Sequence, residues 1–243
     1  MTLWILVLAF APAVFWLFYF YRRDKLEPEP RRLIIQTFVL GMLSAIPAAI
    51  AERLISGVGI FILVVALGPA IEEYCKYFVV SRSVYRSQEF DEPMDGIIYA
   101  VAAALGLSSI ENVGYLFAVQ QIEPGALGLT FLARAFLSVP GHALFSSMWG
   151  YALGWGLLIQ DPSERQAFIR KGLWLAIALH GSFNLLAWLA QDLGLIAAGL
   201  LLLLVIFAWR AVHWRIASAL ERSPYRATSK SVAEDPENPD VIK

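Results

Sequence analysis

The chain contains 243 residues, of which 58% are hydrophobic and only 16% are charged, whereas an average soluble domain carries about 25% charged residues. The apolar residues fall in runs of about twenty, which is the length needed to cross a hydrocarbon core of about 30 Å. This composition excludes a soluble protein. The net charge of −1, without a basic run, gives no sign of a nucleic-acid partner, and the lone Cys75 excludes an intrachain disulfide.

Seven membrane-spanning helices are predicted from these apolar runs. In chain order they cover Thr2–Tyr21, Leu33–Ile50, Val58–Val80, Gly96–Gln120, Leu129–Ile159, Leu173–Ala190 and Leu193–Trp209. The sequence therefore predicts an all-α polytopic transmembrane bundle, with a catalytic helical domain at residues 1–222. Residues 223–243 are polar and contain three prolines, so we expect a disordered cytoplasmic tail.

The positive residues of the short loops predict the orientation of the bundle. Nearly all of them lie in the first, third and fifth loops and after the last span, namely Arg22, Arg23, Lys25, Arg31, Arg32, Arg82, Arg86, Arg165, Arg170, Lys171, Arg210 and Arg215. Short positive loops stay in the cytoplasm. We therefore expect the N-terminus outside and the C-terminus in the cytoplasm, which agrees with an odd number of spans.

Polar side chains lie inside four of the predicted spans, where each charge costs about 2.5–3.5 kcal/mol on insertion scales. They are Glu72, Glu73 and Lys76 in the third span, Glu111 and Asn112 in the fourth, His142 in the fifth, and His180 and Asn184 in the sixth. Charged groups at membrane depth usually face a functional interior. We therefore expect these side chains to form one buried site.

The glutamate pair has the residue types that hydrolysis by general acid and base requires. Lys76 follows Glu72 by four residues and Glu73 by three, so it can pair with either carboxylate on the same helix face. Two buried carboxyl groups so close together favour a state in which one is protonated and the other ionised. His142 and His180 could position the attacking water or stabilise an oxyanion.

The depth of these groups along their helices gives a partial test of this hypothesis. At about 1.5 Å per residue, Glu72, Glu73, His142 and His180 are predicted at one level, whereas Glu111 lies about 22 Å from the cytoplasmic face. Either residues 94–99 project from the membrane, or Glu111 belongs to a neighbouring layer. Pro69 and Pro140 precede the glutamates and His142, and we expect kinks and a hydrated cavity there.

The four motifs together resemble the PrsW family of intramembrane proteases, which is distantly related to the CAAX prenyl endopeptidases and bacteriocin-processing proteases. The residues that carry the resemblance are Glu72-Glu73-x-x-Lys76, Glu111-Asn112, His142 and His180-x-x-x-Asn184, in this order on separate spans. Lys76 and Glu111 stand where the prenyl-endopeptidase branch has Arg and His, which favours the PrsW branch.

The resemblance implies a multi-pass enzyme of a bacterial cytoplasmic membrane that cleaves a single-span or membrane-anchored protein, with anti-sigma-factor processing as the best-known role. It implies that Glu72, Glu73, His142 and His180 are catalytic. Lys76, Glu111, Asn112 and Asn184 would support them.

Two alternatives stay open at this stage. We expect no cofactor, because no two candidate ligands show a close spacing such as His-x-x-x-His, although two histidines and several glutamates could bind zinc. Buried Glu, Lys and His also occur in proton-coupled transporters and in helix-binding scaffolds, although no inverted repeat is visible.

Overall fold

The computed structural model describes residues 3–226, and within this range the chain forms seven helices and no strand. They are α1 (Leu3–Tyr21), α2 (Arg31–Leu54), α3 (residues 60–82), α4 (Pro93–Ile122), α5 (Pro124–Leu158), α6 (Pro162–Leu193) and α7 (Leu195–Glu221). The predicted all-α helical bundle is confirmed. Of the predicted tail, Ser223 to Arg226 form a turn in which the Tyr225 hydroxyl donates to Asp91 at 2.6 Å, and the remainder lies outside the described residues.

Six of these helices are long and apolar enough to cross a membrane, and α3 is the exception. Its straight part, Gly68–Arg82, has 15 residues and contains Glu72, Glu73 and Lys76. Helices α6 and α7 extend beyond their predicted spans: α6 begins at Pro162, and α7 continues to Glu221. Hydropathy marks only the apolar part of a helix, so it does not show the polar first turns of α6. These turns are stabilised by the N-cap residue Asp161, whose Oδ1 accepts from the Glu164 amide at 2.8 Å.

Helix α4 lies at the centre of the bundle because small residues allow its neighbours to approach closely. Every residue from Pro93 to Ser109 is buried. A side chain at Gly96 would overlap the backbone of α5 at Gly150, and one at Gly106 would overlap the backbone of α2 at Phe38. Small residues at such positions are the usual basis of tight helix packing in membranes.

A π-helical turn precedes each of the two prolines beside the polar cluster, at Leu63–Leu67 before Pro69 and at Arg134–Ser138 before Pro140. In a π-helix, residue i bonds to residue i−5, so a proline leaves that carbonyl without its donor. Side chains of other helices supply the missing donors. Asn184 Nδ2 lies 2.9 Å from the Val64 carbonyl, and Trp16 Nε1 lies 2.9 Å from the Ala135 carbonyl.

Loops α1–α2, α3–α4 and α5–α6 lie at one end of the bundle, which we call the basic end, and the α1–α2 loop is fixed there by buried acids. Asp24 accepts from the Glu29 amide at 3.0 Å, and the Tyr99 hydroxyl donates to the Glu29 carboxylate. One carboxylate oxygen of Asp24 and one of Glu29 have no partner among residues 3–226. Burial away from water raises the pKa of Asp24 to about 8 and the pKa of Glu29 to about 8.

Candidate active site

Glu73 lies at the centre of a polar cluster inside the bundle, and its side chain is fully buried. Its Oε1 accepts from Lys76 Nζ at 2.8 Å and from His180 Nδ1 at 3.0 Å. Its Oε2 accepts from Ser146 Oγ at 2.7 Å and from Trp149 Nε1 at 2.9 Å. A carboxylate has about four acceptor sites, so all of those on Glu73 are filled. Glu73 therefore joins α3, α5 and α6 and holds the His180 ring in place.

The neighbouring Glu72 has a different environment, because its carboxylate makes only long contacts. Its Oε2 lies 3.5 Å from Lys76 Nζ, 3.8 Å from His142 Nδ1 and 3.9 Å from His180 Nε2. These distances leave its lone pairs largely unused. About 12% of its side chain is exposed, whereas that of Glu73 has no exposure. Glu72 is therefore the carboxylate of the pair that is free to act on a bound molecule.

The hydrogen-bond partners assign the protons on both imidazoles. His142 Nδ1 lies 3.0 Å from Lys76 Nζ, and an ammonium group can only donate, so Nδ1 accepts and Nε2–H donates to Glu111 Oε2 at 3.0 Å. His180 Nδ1–H donates to Glu73, and the Nε2 atom of His180 lies 3.9 Å from Glu72 Oε2. The two rings meet edge to face, with centroids 4.9 Å apart.

Glu111 belongs to this cluster and not to a separate layer. It lies 18 residues from the start of α4 at Pro93, and His180 lies 18 residues from the start of α6 at Pro162. His142 lies 16 residues before the end of α5. All three are therefore about 24–27 Å from the basic end of their helices. Helix α6 begins eleven residues before its predicted span at Leu173, so His180 lies as far from the basic end as Glu111 does.

The two predicted supporting amides lie outside the glutamate–histidine cluster. Asn184 donates to the Val64 carbonyl, which Pro69 leaves without a backbone donor. Asn112 Nδ2 donates to the Ala9 carbonyl at 3.1 Å, and its Oδ1 accepts from Arg134 Nε. Arg134 also contacts Glu111 Oε2 through Nη2 at 3.3 Å. Asn112 therefore contacts the site through Arg134, which shares the Glu111 Oε2 atom with His142.

Sequence reasoning missed three residues of the site. Ser146 and Trp149 follow His142 by four and seven residues, so the helical spacing could have placed them on its face. Glu52 was missed because the predicted second span ended at Ile50, whereas α2 continues to Leu54.

One cavity borders the cluster directly, and a second lies beside Arg134 and Asn184. The first, of about 210 Å³, lies between α2, α3 and α4 and is lined by three carboxylates, those of Glu52, Glu72 and Glu111, together with small and aliphatic residues. The other, of about 530 Å³, lies toward the end of the bundle opposite the basic end. Its lining includes Tyr115, Arg134, Asn184, Trp188 and Gln191.

The cluster also contains a donor set that suits a metal ion. Glu72, His142 and His180 each offer one ligand atom, and these atoms lie within 4.8 Å of one another. Two imidazoles and one carboxylate are the protein ligands of several catalytic zinc sites. Glu73 on His180 and Glu111 on His142 would provide the outer hydrogen bonds that orient such ligands.

Comparisons with known proteins agree with the motif pattern. Residues 29–210 match the family described as PrsW family intramembrane metalloprotease. Protease PrsW of Geobacillus kaustophilus is 35% identical over 178 residues, which cover 72% of this chain and 75% of that protein. Protease PrsW of Oceanobacillus iheyensis is 35% identical over 212 residues (84% and 92%), and that of Bacillus subtilis is 30% identical over 178 residues (72% and 78%). No solved structure is significantly similar to the chain.

Proposed function

Because the chain belongs to the PrsW family of intramembrane proteases, we propose that it hydrolyses a peptide bond of a membrane-tethered protein substrate with water activated at Glu72. The observation that carries this proposal is the position of Glu72. It lies between His142 and His180, has unused lone pairs and lines a cavity inside the bundle. The transporter and scaffold alternatives have no comparable support.

The groups around Glu72 supply what peptide hydrolysis needs. Glu72 accepts a proton as water attacks the scissile carbonyl, and the departing amine takes up a proton when the C–N bond breaks. Lys76 Nζ lies 2.8 Å from Glu73 and 3.5 Å from Glu72, so its positive charge is shared by the pair. Glu73 fixes the ring of His180, and Glu111 fixes that of His142, so both imidazoles are oriented before substrate binds.

The metal requirement separates two forms of this mechanism. The donor set of Glu72, His142 and His180 supports a divalent ion such as Zn²⁺, which would polarise the scissile carbonyl and lower the pKa of a bound water. In that form Glu72 is a ligand, and Glu52 and Glu111 are the other carboxylates that line the cavity. The metal-free form expected from the sequence has support from Lys76, whose ammonium lies 3.0 Å from His142 and 3.5 Å from Glu72.

Elemental analysis of purified active protein distinguishes the two forms. One zinc per chain, lost in His180→Ala together with activity, would establish the metal-bound form. Full activity in protein that contains no zinc or other transition metal would establish the metal-free form.

The larger cavity supports one side of access for the substrate. Its lining residues Tyr115, Trp188 and Gln191 lie toward the end opposite the basic end, which the positive loops predict to be outside the cell. This geometry supports access of an extracytoplasmic segment of the substrate, and the family resemblance supports an anti-sigma factor. Reporter fusions after Glu123 and after Arg226 test the orientation, with the first expected outside and the second in the cytoplasm.

The proposal is tested by expressing wild type, Glu72→Gln and Glu123→Gln in a bacterial host and comparing the membrane proteomes. Glu123 is a matched control because it lies in an exposed loop between α4 and α5. We expect one or more single-span proteins to remain full-length with Glu72→Gln and to be cleaved with the other two. Equal cleavage by wild type and Glu72→Gln would remove Glu72 from the mechanism.

A further inference from the structure

A third cavity, of about 420 Å³, lies between the end of α3 and the start of α6, at the basic end of the bundle. It contains three arginines, and aromatic side chains form its wall toward the centre of the bundle. The lining residues used below are Arg82, Arg86, Arg165, Tyr74, Tyr77 and Phe78. None of the side chains that line it, among the residues described, is acidic.

The three guanidinium groups of this cavity are not neutralised within residues 3–226. Arg165 donates from Nε and Nη2 to the Ile159 carbonyl, at 3.1 and 2.7 Å, so its Nη1 remains available. The Arg82 guanidinium lies 5.1 Å from the centre of the Phe78 ring, and Arg86 is exposed. Like charges around one cavity repel each other, and a bound anion removes this cost. Planar guanidinium groups match the oxygens of a phosphate group especially well.

The order of residues along α3 favours a phospholipid over a free phosphate ion as the ligand. Tyr74 and Phe78 precede Arg82 by eight and four residues, so they lie about 6–12 Å nearer the centre of the bundle. Both rings are exposed, by 56% and 46%. A free phosphate ion would use only the arginines. A phospholipid would use both parts, with its headgroup at the arginines and its acyl chains along the rings.

We propose that this cavity binds the phosphate group of an anionic phospholipid from the leaflet at the basic end. Anionic lipids attract basic segments at the cytoplasmic surface, and basic pockets between transmembrane helices bind their headgroups. The arginines come from both α3 and the start of α6, so one bound headgroup would bridge the two helices.

The same cavity is linked to the candidate active site through one packed contact. Tyr77 lines the cavity, and its ring meets the Trp149 ring edge-on at 5.7 Å. Trp149 Nε1 in turn donates to Glu73 at 2.9 Å. A headgroup that fixes the basic ends of α3 and α6 would therefore also stabilise the helices that carry the glutamate pair and His180.

The proposal is tested on the purified full chain in a neutral detergent by thermal unfolding during titration with short-chain phosphatidylglycerol, short-chain phosphatidylcholine or inorganic phosphate. We expect a saturable rise in Tm with phosphatidylglycerol only. Changing Arg82, Arg86 and Arg165 together to Gln should weaken the apparent affinity about tenfold or more. The control triple, Arg32→Gln, Arg170→Gln and Arg222→Gln, removes the same charge from exposed positions toward the same end and should bind as wild type does.

Equal losses in the two triple variants would overturn the site, because they would show a general charge effect. An equal rise in Tm with phosphatidylcholine or with inorganic phosphate would overturn the anionic-lipid assignment. If the cavity triple does not fold, Arg86→Gln is compared with Arg32→Gln. Arg86 has no side-chain partner among the described residues, so its loss should weaken binding without affecting the fold, and unchanged affinity would overturn the proposal.

Discussion

The hydroxyl of Ser146 provides the sharpest test of the account of Glu73. Ser146 and Ser147 are adjacent on α5 and fully buried, but they bond differently. Ser146 Oγ donates to the Glu73 carboxylate at 2.7 Å, whereas Ser147 Oγ donates to the Ala143 carbonyl of its own helix at 2.6 Å. Ser147→Ala is therefore a matched control for Ser146→Ala, with the same atom removed one residue away.

The expected magnitudes differ because the acceptors differ. A hydrogen bond to a charged group contributes about 1.5–3 kcal/mol, and its loss leaves one oxygen of a buried carboxylate short of a donor. Side-chain hydrogen bonds in a membrane protein average about 0.6 kcal/mol. We therefore expect Ser146→Ala to lower the free energy of unfolding by about 1.5–3 kcal/mol and Ser147→Ala by less than about 1 kcal/mol.

The two serine variants can be compared by reversible unfolding in mixed detergent and sodium dodecyl sulfate micelles, followed by tryptophan fluorescence. The same preparations should show reduced cleavage for Ser146→Ala, since Glu73 orients His180. Equal stability losses in the two variants, or a larger loss for Ser147→Ala, would refute the assignment of Glu73 as a carboxylate that depends on all four donors.

Three further predictions concern the framework around the site. Asn184→Ala should lower the free energy of unfolding by about 1–2 kcal/mol, because the carbonyl freed by the proline of α3 loses its donor; the same micelle assay measures this, and a loss near zero would contradict it. Gly150→Val should prevent assembly of a stable bundle, whereas Gly114→Ala, which meets no neighbour within 4 Å, should not, as judged by the yield of monodisperse protein. Asp24 and Glu29 have pKa values near 8 in the folded chain and near 4 when unfolded, so between these pH values the folded chain binds more protons than the unfolded chain. The free energy of unfolding should therefore fall as pH rises through this window, by up to about 1.4 kcal/mol per pH unit for each group. The double variant Asp24→Asn with Glu29→Gln should reduce this slope in thermal unfolding from pH 5.5 to pH 8.5, with Asp95 supplying the part that remains, and an unchanged slope would place the titration elsewhere.

The sequence alone determined the features that depend on local spacing. Apolar runs of about twenty residues predicted seven helices, because each span must satisfy its own backbone hydrogen bonds in lipid. The spacing of Glu72, Glu73 and Lys76 predicted the ion pairs that the structure shows at 2.8 and 3.5 Å. The two prolines predicted disturbed helices, because a missing amide is a property of the residue itself.

Only the tertiary structure decided which polar groups share one centre. The sequence left the layer of Glu111 open, because hydropathy does not show how far a helix such as α6 continues beyond its apolar span. Asn112 stands next to Glu111 in the chain, yet it contacts the Ala9 carbonyl of α1 whereas Glu111 contacts His142, since adjacent residues of a helix point in different directions.

The donors to Glu73 and the cavity beside Glu72 also required the fold. Trp149 lies on α5 and Glu52 on α2, whereas the glutamate pair lies on α3. No local sequence pattern fixes how these helices rotate against one another. That rotation is set by the small residues of α4, where backbone meets backbone at Gly96 and Gly106. Local spacing gave the chemistry of each helix, and the packing of those helices determined which side chains could act together.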